Sequence, residues 1–200
     1  MNRRRLMLQN AQAHGELPQG YTALEYIQSS GTQYIDTGRK LTQNSDITID
    51  FMIVGTKNRY AGILGSRQSA DENNLTLSQD WGSDSFYGNF SEYTEHRFTT
   101  ALSLERTKIR MNKAGAWVND ILIKSWSDVA NFKTPTNGLI FNIGNDNWTG
   151  YKAIMRLYSY KDGNAQHLVP CLDENGTPCM YDLIRRQTLY NQGTGSFTWG

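Results

Sequence analysis

In the segment Asp46–Val54 a large apolar residue recurs at every second position from Ile47 to Ile53, and this pattern limits the fold more strongly than any other feature. Ile47, Ile49, Phe51 and Ile53 fall on one face of a strand, because successive strand side chains point to opposite sides. Similar short segments bounded by Gly, Asn or Asp follow along the chain. The spacing predicts an all-β protein, an antiparallel two-sheet sandwich or a barrel.

Turn residues between these segments predict hairpins. Asn119-Asp120 separates Ala116–Val118 from Ile121–Ile123, and both turn residues tolerate the positive φ of a type I′ turn. Cys171 and Cys179 lie on either side of another turn. We expect these cysteines to face each other on adjacent strands as reduced, buried thiols.

Composition indicates one domain with one core. The chain has 200 residues, of which 38% are hydrophobic, and a formal net charge of +1. Such a small charge favours neither nucleic acid nor an anionic membrane as a partner. No apolar run approaches the ~20 residues of a membrane span.

Residues 1–20 differ in composition from the rest, so we predict an N-terminal arm or leader followed by one domain at 21–200. The apolar run of this arm is too short for a signal peptide, which predicts that the chain is not exported. Two interpretations remain open, a flexible leader and an arm that orders against a partner subunit. The candidate anchoring residues are Arg3, Arg4, Arg5, Leu6 and Leu8.

Two blocks at the ends of the sequence share a recognisable order of residues. Tyr21–Gly38 reads YTALEYIQSSGTQYIDTG, and the closing part contains Leu168–Cys171, Met180–Asp182 and Tyr190–Phe197. These blocks resemble laminin-G-like, concanavalin A-like jelly-roll modules, which are common in gut bacteria and their tailed phages. The resemblance implies a two-sheet jelly roll whose first and last strands lie together. It implies no single function, because such folds carry lectins, glycosidases, adhesion modules and virion proteins.

The opening block is therefore interpreted as a structural closure and not as an active motif. Its aromatic and β-branched residues are expected to pack, its glycines to turn the chain, and its aspartate to pair locally. The residues concerned are Tyr26, Ile27, Gly31, Tyr34, Ile35, Asp36 and Gly38.

Catalytic patterns are weak in this sequence. A glycosidase needs two carboxylates about 5–9 Å apart, and the nearest acidic pair, Glu92 and Glu95, has an odd spacing that separates the two residues on a strand. No Gly-x-Ser-x-Gly segment is present. We predict that the protein is not an enzyme, with glycoside hydrolysis as a remote alternative.

Carbohydrate binding is the strongest site hypothesis. It needs an aromatic platform for the CH face of a sugar, with Asp, Asn or Gln to pair with its hydroxyls. Two polar loops have this mixture, although their tryptophans can equally plug the ends of a sandwich. The candidate residues are Asp80, Trp81, Tyr87, Asn145, Asp146 and Trp148.

Calcium is a second, weaker hypothesis. Asp71, Asn73 and Asp146 carry the oxygen ligands that Ca²⁺ takes, but Asp and Asn also favour turns for local reasons. No other cofactor is expected.

These observations predict a non-enzymatic structural or binding module. The first candidate is a phage virion protein, a capsid decoration or fibre-associated subunit that exposes a lectin-like domain on the particle surface. The alternative is a carbohydrate-binding adhesin of a bacterial surface. The expected partners are other virion or surface subunits and host or mucus glycans, and an oligomer is compatible with the sequence.

Overall fold

The computed structural model describes residues 17–55, 60–69, 72–80, 82–144 and 152–200, without the side chains of residues 93 and 94. Throughout these ranges the regular structure consists of strands. In chain order they are β1 (Thr22–Ala23), β2 (Ile27–Gln28), β3 (Ile35–Thr42), β4 (Ile47–Gly55), β5 (Tyr60–Ser66), β6 (Asn74–Asp80), β7 (Ser85–Ala101), β8 (Thr107–Asn112), β9 (Gly115–Val118), β10 (Ile121–Ser125), β11 (Lys133–Ile140), β12 (Ile154–Asp162), β13 (Gln166–Leu172), β14 (Pro178–Asp182), β15 (Gln187–Leu189) and β16 (Thr198–Trp199).

The strands form two sheets with antiparallel pairing between neighbours. The large sheet has the order β10-β9-β8-β4-β12-β13-β14-β15, with β1, β2 and β16 attached beside it. The small sheet has the order β3-β11-β5-β6-β7. The predicted fold class, an all-β antiparallel two-sheet sandwich of jelly-roll type, is confirmed. In the described ranges no helix is long and apolar enough to cross a membrane.

Alternation along β4 places the core as predicted. Ile47, Ile49, Phe51 and Ile53 are all buried between the sheets. Phe51 of the large sheet meets Phe86 of the small sheet edge to face, with ring centroids 5.5 Å apart. The apolar residues of this strand therefore recur at every second position because one face of the strand is covered by the other sheet.

Strand β7 doubles back on itself, which the sequence did not predict. The Leu102 amide donates to the Asp84 carbonyl at 2.8 Å, so the two ends of this seventeen-residue strand lie side by side. The reversal begins at Ser91, whose φ is +80°. The second half of β7 consequently forms the outer edge of the small sheet.

The two ends of the sequence meet, as the resemblance implied. Strand β16 pairs with β2, with Trp199 opposite Ile27. The Gln33 side chain donates from Nε2 to the Thr194 carbonyl at 3.1 Å. The Asn191 side chain accepts from the Tyr34 amide at 3.2 Å. Each of the two recognisable blocks therefore supplies hydrogen-bond partners to the other.

Local predictions for the opening block are also confirmed. Ile27 and Ile35 are fully buried. Gly31 and Gly38 have φ of +92° and +69°, which favours glycine at both turns. Asp36 accepts from the Gly38 amide at 2.7 Å, the expected local pairing.

The two predicted hairpins are present. Asn119 and Asp120 have φ of +50° and +69°, as a type I′ turn requires. Cys171 and Cys179 are register partners on β13 and β14, and their buried Sγ atoms lie 3.5 Å apart as free thiols. Leu17, within the predicted arm, packs with Tyr21 against a second small core around these cysteines.

Candidate functional site

The small sheet carries a mixed aromatic and polar surface that we call the loop face, defined by Tyr60, Asp80 and Tyr87. Register creates this grouping. Tyr87 pairs with Ser78, Ser78 pairs with Gly62, and Gly62 bridges to Lys152, so one row crosses the sheet. Asp80 pairs with Tyr60 in the next row. Tyr60 is exposed and Asp80 and Tyr87 are half-buried, whereas Ser78 in the row between them is buried and the Lys152 ammonium group lies over the Tyr34 ring.

Asp80 is the predicted sugar ligand that the structure describes best. Its carboxylate accepts from the Gly82 amide at 2.8 Å and from the Ser83 hydroxyl at 3.0 Å, so it shapes the turn after β6. A carboxylate has about four acceptor sites. Asp80 therefore uses at least two of these sites to hold the turn.

Tyr87 lies two residues into β7 and is half-buried. The Arg97 guanidinium stands 4.6 Å from its ring centroid, on the half of β7 that returns. One face of this ring therefore stacks on a cation. The stacked face is therefore covered by the guanidinium.

Tyr60 belongs to the same surface and was missed as a site residue by the sequence analysis. It lies beside Asp80 in register and is 40% exposed. Its position at the first residue of a strand looked like ordinary β-propensity. Only the pairing of β5 with β6 brings an exposed aromatic ring next to the predicted carboxylate.

The remaining predicted sugar ligands, Trp81, Asn145, Asp146 and Trp148, lie outside the described residues. The positions on either side of the second loop are described. Gly144 bridges to Ser66 and Lys152 bridges to Gly62, so this loop leaves from and returns to β5. Both predicted loops therefore start from neighbouring strands of the small sheet.

The calcium hypothesis has one described residue, Asn73. Its side-chain amide donates to the side-chain oxygen Oε1 of Gln68 at 2.8 Å, and its φ of +47° is typical of a turn. Asp71 and Asp146 lie outside the described residues. Over the described part of the chain, no three His, Cys, Asp or Glu residues are grouped as a metal site. Calcium binding stays a prediction.

A second polar surface is a pocket of about 410 Å³ at one end of the sandwich, which we call the end pocket. It opens between the turn after β3 and the turn after β12. Asp162 joins these turns by accepting from the Asp46 amide at 3.0 Å. Its lining residues are Arg39, Thr42, Asn44, Ser45, Asp162, Gly163, Asn164 and Ala165.

Buried polar atoms lie below the end pocket. Arg39 Nε is 3.7 Å from the Asp162 carboxylate, beyond hydrogen-bond distance, and has no hydrogen-bond partner in the described ranges. The same holds for the Tyr160 hydroxyl and for Gln166 Oε1. Burial raises the pKa of the Tyr160 hydroxyl well above its usual value, and the nearby Asp162 raises it further. The phenol therefore stays protonated and can donate.

Several carboxylates are held in hydrogen bonds and ion pairs that stabilise the fold. Asp46 accepts two hydrogen bonds from Arg110, and this contact lowers the pKa of Asp46. Asp50 accepts two hydrogen bonds from Arg106 at 2.8 Å. The Thr177 and Asn175 amides and the Tyr190 hydroxyl hold Asp173, and these bonds lower its pKa. Asp46 and Asp173 therefore remain ionised at neutral pH, and all three carboxylates are paired, which suits a structural role better than proton transfer.

Comparisons with known proteins add little to this geometry. No protein-family model and no curated protein sequence matches the chain. Among solved structures, a mutant Trypanosoma rangeli sialidase that displays trans-sialidase activity is similar, with a TM-score of 0.44 and 7% identity. That similarity covers 70% of this chain and 26% of the sialidase chain.

Proposed function

We propose that this chain is a non-enzymatic, lectin-like binding module of the laminin-G-like, concanavalin A-like kind, carried on the surface of a phage virion as a capsid decoration or fibre-associated subunit. The loop face is the observation that carries the proposal. Tyr60 supplies an exposed ring, and the Asp80 carboxylate lies beside it in register. This is the pairing of platform and polar group that a sugar requires.

The way in which the loops leave the sheet supports the same site. Trp81 directly follows Asp80, and Trp148 belongs to the loop between Gly144 and Lys152. We propose that one saccharide of a few residues contacts both loops and the loop face. Asp46, Asp50 and Asp173 are held in hydrogen bonds within the protein, and this supports the non-enzymatic part of the proposal.

A glycan array tests sugar binding directly. We expect the wild-type protein to bind, and Tyr60→Ala and Trp81→Ala to weaken binding at least tenfold while the melting temperature stays unchanged. Asn44→Ala in the end pocket is the matched control and should bind like the wild type. A blank array contradicts the proposal. So does a Trp81→Ala protein that melts early and binds normally, because that tryptophan then serves packing alone.

The virion assignment rests on the resemblance to modules common in tailed phages and needs its own test. Mass spectrometry of purified particles and of bacterial surface fractions separates the two locations. Recovery in surface fractions alone favours the bacterial adhesin. Arg3, Arg4, Arg5, Leu6 and Leu8 lie outside the described residues, and we propose that they anchor the module to a partner subunit. Deleting residues 1–16 should then remove the protein from particles without unfolding its domain.

A further inference from the structure

The two cysteines of the chain lie face to face on neighbouring strands. Cys171 of β13 and Cys179 of β14 are direct register partners, and both side chains are fully buried. Their Sγ atoms are 3.5 Å apart. Residues opposite each other on antiparallel strands have Cα atoms about 4.5–5.5 Å apart, which is within the span of a disulfide. A side-chain movement of about 1.5 Å therefore brings the sulfur atoms to bonding distance.

The turn between β13 and β14 keeps the two thiols in register. The Asp173 carboxylate accepts from the Asn175 and Thr177 amides at 2.9 and 2.8 Å. The Asp173 amide donates to the Thr177 carbonyl at 3.0 Å, and the Tyr190 hydroxyl donates to the Asp173 carboxylate at 3.0 Å. These bonds oppose a slip of one strand past the other, so the thiols stay close together. Folding therefore supplies the proximity that bond formation between them needs.

We propose that Cys171 and Cys179 form a reversible dithiol–disulfide couple, whose oxidant is a low-molecular-weight disulfide of the glutathione disulfide class. The structure holds the reduced form. One cysteine thiolate attacks a sulfur of the small disulfide and displaces one small thiolate, which leaves a mixed disulfide on the protein. The second cysteine thiolate attacks the protein sulfur of that mixed disulfide and displaces the other small thiolate. The displaced thiolates take up the two cysteine protons, and two electrons pass from the protein to the oxidant.

The start of the domain covers this couple, which is independent of glycan binding. Leu17 and Tyr21 pack on the small core that contains both cysteines, and the Tyr21 ring meets the Tyr181 ring edge to face at 5.8 Å. Strand β1 also pairs with β13 at Cys171. An oxidant therefore reaches the thiols when residues 17–23 open locally. We expect slow oxidation of the folded protein, because buried cysteines react little until they are exposed.

Mass spectrometry of the full chain identifies the bond. After incubation with glutathione disulfide, the intact protein should be lighter than the reduced protein by two hydrogen atoms. Trypsin leaves both cysteines in the peptide 162–185, and cleavage after Glu174 then divides that peptide between them. The two fragments should stay joined until a phosphine reductant separates them. Fragments that separate without the reductant overturn the proposal, and so does a stable mixed disulfide with glutathione.

The melting temperature shows whether the bond fits the folded hairpin. The oxidised wild type should melt about 5–10 °C above the reduced wild type, because the bond restricts the unfolded chain across a short loop. Cys179→Ala is the matched control, since it keeps a small apolar side chain, and its melting temperature should not depend on the reductant. An oxidised wild type that melts no higher than the reduced protein overturns the proposal, because the bond then strains the hairpin.

A variant of the covering segment tests how the oxidant reaches the thiols. Tyr21→Ala should increase the rate at which glutathione disulfide consumes the thiols by about tenfold, because local opening becomes easier. Tyr26→Ala is the control, since the Tyr26 ring makes the same edge-to-face contact at 5.8 Å with Tyr158 of β12. It should react like the wild type. Circular dichroism confirms that each variant is folded. Equal rates for Tyr21→Ala and the wild type overturn the assignment of the cover.

Discussion

Asp182 is a fully buried carboxylate that holds the β13–β14–β15 region together. Its Oδ1 accepts from the His167 amide at 3.2 Å and from the Ile184 and Arg185 amides at 3.0 and 3.2 Å. Its Oδ2 accepts from Gln166 Nε2 at 3.1 Å. Removing this side chain leaves the three amides without this acceptor and leaves Gln166 Nε2 with one acceptor, the Thr37 carbonyl.

We expect Asp182→Ala to lower the free energy of unfolding by about 3–5 kcal/mol. The donors of His167 and Gln166 lie inside the sheet, and a buried donor without a partner costs about 1–3 kcal/mol. The Ile184 and Arg185 amides belong to exposed residues, so water replaces part of their bonding. The total is a large share of the ~5–15 kcal/mol that stabilises a domain.

Urea unfolding followed by tryptophan fluorescence measures the loss. Asp36→Ala is a useful control, because Asp36 accepts one short hydrogen bond, from the Gly38 amide, and a longer one from Asn137. That variant should lose about 1 kcal/mol. Asp182→Asn keeps one acceptor oxygen and should fall between the two, which preserves the test if Asp182→Ala does not fold. A loss below about 1 kcal/mol for Asp182→Ala, with an unchanged denaturant slope, would refute this account.

Three further predictions concern the backbone, pH and thiols. Gly65→Ala should lower the free energy of unfolding, measured in urea, by more than about 3 kcal/mol, because φ is +132° and an added Cβ overlaps the Leu75 carbonyl. Gly176→Ala, where φ is +77° and the space around the added Cβ is open, should lower it by about 1 kcal/mol. Burial, with Lys161 nearby, lowers the pKa of His167 to about 4 from the usual 6.5. Between pH 4 and 6.5 the unfolded chain therefore binds more protons than the folded chain. The free energy of unfolding should rise with pH across that window by about 1 kcal/mol after solvent screening. If the free energy of unfolding changes with pH equally in the wild type and in His167→Gln, this explanation is wrong. The adjacent Cys171 thiol and burial raise the pKa of Cys179, so iodoacetamide should label it only after unfolding, and rapid native labelling would argue against a buried thiol.

Local patterns predicted a large part of the fold. The alternation of Ile47 to Ile53 required one covered face, and Asn119-Asp120 required a tight turn with positive φ, so neither prediction depended on distant residues. The two end blocks were interpreted as closure, and Gln33 and Asn191 show why, since each binds the main chain of the other block. These predictions succeeded because their physical causes lie within a few residues or in a recognisable pair of segments.

The candidate site was predicted only in part. Asp80 and Tyr87 were selected from one polar loop, and the structure joins them with Tyr60, which sequence reasoning had left as an ordinary strand residue. The reversal within β7, which sets Arg97 over Tyr87, was not predicted. Each of these contacts joins different strands or the two halves of one strand, and the period of two says nothing about which strands become neighbours.

The sequence by itself determined that this chain forms short antiparallel strands, because apolar spacing and turn residues act locally. The resemblance of its two end blocks favoured a sandwich over a barrel. Only the tertiary structure decided the order and register of the strands. Register placed Tyr60 beside Asp80 and buried Asp182 among its donors. Those outcomes depend on the free energy of many long-range pairings at once, so the surfaces available for binding emerge only when the two sheets are assembled.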